Sequence, residues 1–193
     1  GRSDNLYIEN AEVELNITDN GSDDFEVVGG IVGYVEDILD ASNVNSTVNI
    51  TSDATSYFGY VGGFVGQMTA GTISNCSIHG GQVHAWVGYP KDRADGHAFA
   101  GGIVGHMTGG TVSGCSRADN AIIEAKGEQN TGTNTPNSAI RAAAGGLVGS
   151  RDGGTVRGTS SANNIVSGIV TGKNASSYSW ARKEAIVGSG GQG

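Results

Sequence analysis

The sequence has no long apolar run and no strongly basic segment. No run reaches 18 apolar residues, so the sequence predicts no membrane-spanning helix. Its 11 basic residues are outnumbered by 19 acidic ones, and no basic stripe marks a nucleic-acid surface. We therefore expect neither a membrane span nor a nucleic-acid partner. The opening stretch GRSDNLYIEN lacks a signal-peptide pattern, and we expect it to begin at a processing boundary of a larger chain.

The common motifs of metal and phosphate chemistry are also absent. Neither an H-E-x-x-H motif nor a C-x-x-C pair supplies zinc ligands, and no glycine-rich stretch leads to the G-K-[ST] of a phosphate loop. We therefore expect no metal and no cofactor. The stretch KDRADGH is the most enzyme-like, because Asp92, Arg93, Asp95 and His97 lie close together in it. We expect a solvated loop tip there, and a polysaccharide lyase or hydrolase is the enzymatic alternative.

Proline is scarce, but glycine is abundant and recurs in a pattern. The chain has 2 prolines and 34 glycines, without the G-X-Y period of collagen. Glycine doublets begin at intervals of 33, 39 and 44 residues, and a decayed copy, EAIVGSG, follows after another 39. Self-similarity at this spacing is typical of a solenoid. The doublets, which we expect to be structural, are Gly29 and Gly30, Gly62 and Gly63, Gly101 and Gly102, and Gly145 and Gly146.

The composition of the repeats favours strands over helices. Each interior glycine destabilises a helix by about 1 kcal/mol relative to alanine, and every repeat contains several. Short β-branched stretches such as GGIVG and GTVSGCS, bounded by Gly, Asn and Ser, predict strands and turns. We therefore predict an all-β fold, a single parallel β-helix of four to five coils with three short strands each. The predicted core includes Phe64, Ile73, Val83, Ile103, Val112 and Ile122.

We expect one domain over residues 1–193, belonging to a larger chain. An N-terminal strand or cap covers 1–28 in this interpretation. The repeats then cover approximately 29–61, 62–100, 101–144 and 145–183, with a degenerate fifth copy at 184–193.

The repeated sequence around the glycine doublets resembles a known bacterial motif. A GG-[IFL]-VG stretch followed by G-T-[VI] is similar to the GLUG motif of bacterial surface proteins and large secreted peptidases. Four copies match, at 29–33, 62–66, 101–105 and 145–149. The resemblance implies noncatalytic repeats of adhesins or immunoglobulin A peptidase-type proteins, at the cell surface or outside the cell.

The repeats differ in length between the third predicted strand and the next doublet. The variable segments are 51–60, 85–99, 126–143 and 171–183, and in a solenoid such insertions emerge on one side. Aromatic residues concentrate there, and aromatic faces suit protein hot spots and sugar rings. Packing is the alternative, with Tyr60 and Phe99 stacking on adjacent coils. The binding candidates are Tyr57, Trp86, Tyr89, His97, Tyr178 and Trp180.

The two cysteines occupy equivalent positions in neighbouring repeats. Cys76 and Cys115 are 39 residues apart, which is the spacing of the corresponding doublets. Stacked side chains in parallel strands suit the disulfide torsion poorly, so we expect two buried thiols, with a disulfide as the alternative.

These features together predict a noncatalytic, extracellular or cell-surface module with a structural or adhesive role. Host proteins or glycans are its expected partners. A second hypothesis is a filament formed by head-to-tail stacking of copies into a homo-oligomer. Residues 1–60 hold twelve carboxylates and one base, whereas the remainder has seven acids and ten bases. Opposite charges at the two ends favour such stacking.

Overall fold

The computed structural model describes residues 9–19, 25–35, 40–42, 45–54, 58–88, 95–117, 121–128, 139–157, 160–161, 166–171, 180–184 and 187–190. These ranges contain strands and turns but no helix, so none of them forms a helix able to cross a membrane. In chain order the strands are β1 (Glu9–Asp19), β2 (Phe25–Gly29), β3 (Val32–Val35), β4 (Asp40–Ser42), β5 (Asn45–Ala54), β6 (Phe58–Gly62), β7 (Val65–Met68), β8 (Thr72–Ser74), β9 (Ser77–Gly88), β10 (Asp95–Gly101), β11 (Val104–Met107), β12 (Thr111–Ser113), β13 (Ser116–Arg117), β14 (Ala121–Glu128), β15 (Ala139–Gly145), β16 (Val148–Arg151), β17 (Thr155–Arg157), β18 (Ser160–Ser161), β19 (Val166–Thr171), β20 (Trp180–Glu184) and β21 (Val187–Gly190).

The strands form four sheets, and all of their pairings are parallel. Sheet 1 contains β2, β6, β10, β15 and β20, and sheet 2 contains β3, β7, β11, β16 and β21. Sheet 3 contains β4, β8, β12 and β17, and sheet 4 contains β1, β5, β9, β13, β14, β18 and β19. From β2 onward the chain passes through sheets 1, 2, 3 and 4 in that order and then returns to sheet 1. This confirms the predicted all-β fold of parallel strands, an architecture consistent with a β-helix or solenoid.

Equivalent residues of successive repeats are register partners. In sheet 1 the first glycine of each doublet aligns with the next, from Gly29 through Gly62 and Gly101 to Gly145. The turns after these strands also bond between repeats, because Phe64 N donates to Ile103 O at 3.0 Å. The unequal spacing of the doublets therefore leaves the register unchanged and is accommodated elsewhere in each repeat.

The fold has one more sheet than the three that the sequence predicts. Sheet 1 was not expected, because its strands lie in the segments interpreted as insertions before each doublet. Strands β10 and β15 are rich in alanine and glycine, which have low β-propensity and give no apolar alternation. Ala98, Ala100, Ala142 and Ala144 are nonetheless fully buried, since the short side chains let sheet 1 pack closely on sheet 4.

The buried side chains form two main clusters. One lies among sheets 2, 3 and the first residues of sheet 4, and it includes Phe64, Met68, Ile73, Met107 and Cys115. The other lies between sheets 1 and 4. Its members are Val28, Val61, Val83, Ala85, Val87, Ala98, Ala100, Ile123, Ala125, Ala142 and Ala144.

Five of the six predicted core residues are buried, and one prediction is wrong. Phe64, Ile73, Val83, Ile103 and Val112 are each at most 1% exposed, whereas Ile122 is 37% exposed. Its neighbour Ile123 takes the inward position because it is the register partner of Val83. Side chains alternate between the faces of a strand, so one residue of offset exchanges the buried isoleucine.

Glycine is required where sheet 1 turns into sheet 2. A Cβ at Gly101 would overlap the carbonyl oxygen of Val104. A Cβ at Gly105 would lie 2.6 Å from both Gly66 O and Val61 N, a distance that a methyl group does not tolerate. The two strands before and after each doublet therefore approach at backbone distance, which explains the recurrence of GG-x-VG.

Candidate functional site

Polar and aromatic side chains lie on the outer faces of sheets 1 and 4. In β10 the small residues Ala98 and Ala100 point into the core, so His97 and Phe99 point to the opposite face. In β9 the inward residues Ala85 and Val87 likewise leave His84 and Trp86 on the outside. We refer to these surfaces as the outer face of sheet 1 and the outer face of sheet 4.

A stacked aromatic pair lies on the outer face of sheet 1. Tyr60 and Phe99 are register partners, and their ring centroids are 5.4 Å apart with an interplanar angle of 7°. Both are buried, at 5% and 4% exposure. The predicted stacking of these two rings on adjacent repeats is therefore confirmed.

The His106 imidazole of sheet 2 completes this cluster. Its ring centroid lies 4.5 Å from that of Tyr60 and 5.6 Å from that of Phe99. Its Nε2 is 3.0 Å from Oδ2 of Asp152, and within the described part of the chain its buried Nδ1 has no hydrogen-bond partner. Burial, followed by the negative charge of Asp152, raises the pKa of Tyr60 to about 12. The phenol therefore stays protonated at any physiological pH.

Beside this cluster, one register column of sheet 1 contains two of the candidate residues. Phe58, His97, Arg141 and Trp180 are successive partners in this column. Arg141 Nη1 donates a hydrogen bond to His97 Nε2 at 3.0 Å, so that nitrogen carries no proton. The His97 ring also stacks on Phe99, with centroids 5.2 Å apart. The structure thus brings His97 and Trp180 into one column, separated by an arginine.

The outer face of sheet 4 contains a third candidate, Trp86. Its register partner in β14 is Lys126, and in the next column His84 Nδ1 lies 2.9 Å from Glu124 Oε2. The indole is half-buried, and its Nε1 has no hydrogen-bond partner among the residues whose side chains are described. The Nε1 atom is itself buried, so a ligand on this face would contact the exposed part of the Trp86 ring and not this nitrogen.

Trp86 and His97 do not belong to one site. The inward residues of β9 and β10 share the core cluster between sheets 4 and 1, so the outer faces of these two sheets point away from each other. Tyr57, Tyr89 and Tyr178 lie outside the described residues, as do Asp92 and Arg93. The side chains of Asp95 and Trp180 also lie outside them.

The two cysteines are buried and unbridged, as the spacing led us to expect. The Sγ of Cys76 donates to Ser74 O at 3.2 Å, and the Sγ of Cys115 is 3.4 Å from Ser113 O. A hydrogen bond with the Cys76 thiol, together with burial, raises the pKa of Cys115 far above its usual value. These thiols therefore behave as small core residues and not as nucleophiles.

The cluster of His106 with Tyr60 and Phe99 was not predicted from the sequence. His106 stands five residues after Gly101, the position that Gln67 and Ser150 occupy in the neighbouring repeats. Comparing side chains at equivalent repeat positions would have singled out His106, but its contact with Tyr60 and Phe99 depends on how sheet 1 packs beside sheet 2. In the described ranges no group of three or more His, Cys, Asp or Glu residues could hold a metal ion.

No protein-family model, curated protein or solved structure matches this chain.

Proposed function

We propose that the chain is a single parallel β-helix that acts as a noncatalytic structural or adhesive module, secreted or displayed at a bacterial surface. The chain passes through sheets 1 to 4 in a constant order, and this order supports a continuous coil in which each repeat is one turn. The resemblance to the GLUG motif supports the bacterial and extracellular part of the proposal.

The observation that carries the proposal is the stacking of the glycine doublets in one column. Gly62, Gly101 and Gly145 are register partners, and the turns that follow them bond between repeats. Backbone approach at these turns leaves little room for deformation, which makes the coil a stiff support. A stiff support holds side chains of successive repeats about 4.8 Å apart along its axis, so that individually weak contacts add up.

The binding surface in this proposal consists of the outer-face residues and the connections beside them. Trp86 provides a half-buried indole ring on sheet 4, and Trp180 occupies the register column of His97 and Arg141 on sheet 1. Aromatic side chains provide large contact areas for proteins and for the apolar faces of sugars at low entropic cost. A host protein or a glycan is therefore the proposed ligand.

Binding of the purified chain to glycan and host-protein arrays tests this function. We expect binding that Trp86→Ala or Trp180→Ala weakens, while Tyr34→Ala, which removes a 49% exposed aromatic residue from sheet 2, leaves it unchanged. The absence of any binding by the unmodified chain would contradict the proposal. Release of glycan products, abolished in an Asp92→Ala/Asp95→Ala variant, would instead establish the polysaccharide lyase or hydrolase alternative.

The charges of the terminal strands favour a second candidate function, assembly into filaments. Strand β1, at one edge of sheet 4, contains Glu9, Glu12, Glu14 and Asp19 and no basic residue. At the opposite end of the stack, β20 contains Arg182 and Lys183 with one acid. Edge strands with unpaired backbone groups can pair with another copy, and opposite charges would orient that pairing head to tail.

A further inference from the structure

The corner between sheets 3 and 4 brings the two cysteines of the chain together. Cys76 lies between β8 and β9, and Cys115 lies at the equivalent place between β12 and β13. The backbones are bonded to each other at this corner, because Ser116 N donates to Cys76 O at 2.8 Å. The Sγ of Cys115 also lies 3.7 Å from Ile73 O, so this side chain reaches the coil that contains Cys76.

Neither cysteine is part of a strand. Each follows a residue with a left-handed backbone, since φ is 53° at Asn75 and 63° at Gly114. The chain bends there, and both cysteines belong to the buried cluster beside sheet 3. Neighbouring coils are about 4.8 Å apart, inside the Cα separation of about 4.4–6.8 Å that a disulfide requires. A backbone shift that brings the two sulfurs to bonding distance therefore need not break a strand ladder.

We infer that Cys76 and Cys115 form a disulfide between neighbouring repeats when the chain folds in the presence of a small-molecule disulfide. The inference rests on the proposed function only for the oxidising, extracellular surroundings. The sequence contains two cysteines, so this is the one bridge that a single chain can form. The bridge closes a loop across one repeat and fixes two coils of the support against each other.

The bridge forms in two exchange steps. The thiolate of one cysteine attacks the small-molecule disulfide, which gives a mixed disulfide and releases one small thiol. The thiolate of the other cysteine then attacks the protein sulfur of the mixed disulfide and releases the second small thiol. Two protein thiols are thus oxidised to one disulfide, and one small disulfide is reduced to two thiols that take up both protons.

The bridge closes before the cysteines are buried. In the folded chain Cys76 and Cys115 are at most 1% exposed, so a dissolved oxidant does not reach them. The raised pKa of Cys115 also keeps its thiol protonated, and a protonated thiol does not attack a disulfide. During folding both sulfurs are accessible to the oxidant, and they meet when the two repeats pack together. The folded core then shields the bridge from reduction.

Refolding of the unmodified chain with a mixture of oxidised and reduced glutathione tests the inference. The product is unfolded again, treated with an alkylating reagent and examined by mass spectrometry. We expect no alkylated cysteine and, after digestion, a peptide pair joined through Cys76 and Cys115. The matched control is chain that has folded under reducing conditions before it receives the same mixture. We expect both cysteines to be alkylated in this control.

The bridge should also make the fold more resistant to heat. We expect the midpoint of thermal unfolding to be about 5–15 °C higher in the bridged chain than in the reduced chain, because the bridge restricts the unfolded state. In a Cys76→Ala/Cys115→Ala variant, refolding with the glutathione mixture should leave the midpoint unchanged. The alkylation experiment needs no variant, so misfolding of this variant would not prevent the test.

Three results would overturn the inference. These are alkylation of both cysteines after refolding with glutathione, a mixed disulfide or a bridge between two chains in place of the internal one, and a lower unfolding midpoint in the bridged chain. Equal bridging in the control would overturn the order of closure and burial. If the reduced chain binds on the arrays but no bridge forms, the inference fails and the proposed function stands. If the bridge forms but neither the bridged nor the reduced chain binds anything, the proposed function fails and the inference stands.

Discussion

At the residue scale, the recurring glycines are explained by close approach of the backbones of sheets 1 and 2, both within a repeat and between neighbouring repeats. Gly105 and its equivalents lie where sheet 2 faces the backbone of sheet 1, and no side chain fits between them. The same position in the first repeat, Gly33, is less crowded, since its nearest contact would be Val27 O at 3.2 Å. The glycines of the motif are therefore required for steric reasons. The destabilisation caused by a larger residue at this position should differ between repeats.

Replacement of Gly105 by alanine should lower the free energy of unfolding by about 1–3 kcal/mol. The added Cβ would lie 2.6 Å from two backbone atoms, which forces the strands apart. Gly33→Ala is the matched control, and its effect should be clearly smaller. Denaturant unfolding monitored by circular dichroism measures both variants, and equal effects would contradict the steric explanation.

The Tyr60 phenol should make the protein sensitive to alkali. Its pKa is about 12 in the folded protein and 10.0 as the ordinary value, so the folded state holds the proton more tightly. This contribution to stability is complete below pH 10 and is lost as the pH rises toward 12, at about 1.4 kcal/mol per unit. Between pH 10 and pH 12 the free energy of unfolding of the unmodified chain should fall by about 2 kcal/mol more than that of Tyr60→Phe. Unfolding titrations at a series of pH values measure this difference. Tyr34→Phe controls for the loss of an exposed phenol, and parallel pH profiles for the unmodified chain and Tyr60→Phe would refute the prediction.

At the scale of the element, side-chain alternation was only partly predictable from the sequence. The repeats indicated strands, and Ile73 and Val112 were correctly assigned to the core, because each is the single large apolar residue of a three-residue strand. In AIIEAKG two isoleucines are adjacent, and only pairing with Val83 decides which one is buried. Sheet 1 was not predicted because the inward residues of β10 and β15 are alanines, which are equally common in loops.

The same pair of isoleucines allows a test of the register. Ile123→Ala should lower the free energy of unfolding by about 2–5 kcal/mol, because it opens a cavity between sheets 1 and 4. Ile122→Ala, one residue away, should change it by at most about 0.5 kcal/mol. Chemical denaturation of both variants makes the comparison. A larger loss of stability in Ile122→Ala than in Ile123→Ala would show that the register of β14 is offset by one residue.

At the scale of the whole molecule, the four sheets of parallel strands explain why the glycine-doublet motif can recur at unequal intervals. The register requires only that the doublets align, so additional residues are accommodated between sheets 4 and 1. The resemblance to surface-protein repeats suggested a binding role, but which side chains meet could not be read from spacing. The column of His97, Arg141 and Trp180 depends on the register of sheet 1, a sheet that the sequence did not reveal.

Sedimentation velocity at low and high salt tests the filament candidate. If acidic and basic ends associate, the chain should form large species at low salt that dissociate as screening increases. A double variant, Arg182→Ser/Lys183→Ser, should reduce association. Arg157→Ser, which removes one basic residue from sheet 3, is the control and should leave association unchanged. A monomer under both salt conditions would eliminate this candidate.

A crystal structure of the purified chain is the most direct test of the repeated parallel coil. We expect the Cα atoms of Gly62 and Gly101 to lie about 4.8 Å apart in neighbouring parallel strands, with Ile73 and Val112 stacked in the interior. Antiparallel hairpins between adjacent repeats, or Val112 exposed to solvent, would contradict it.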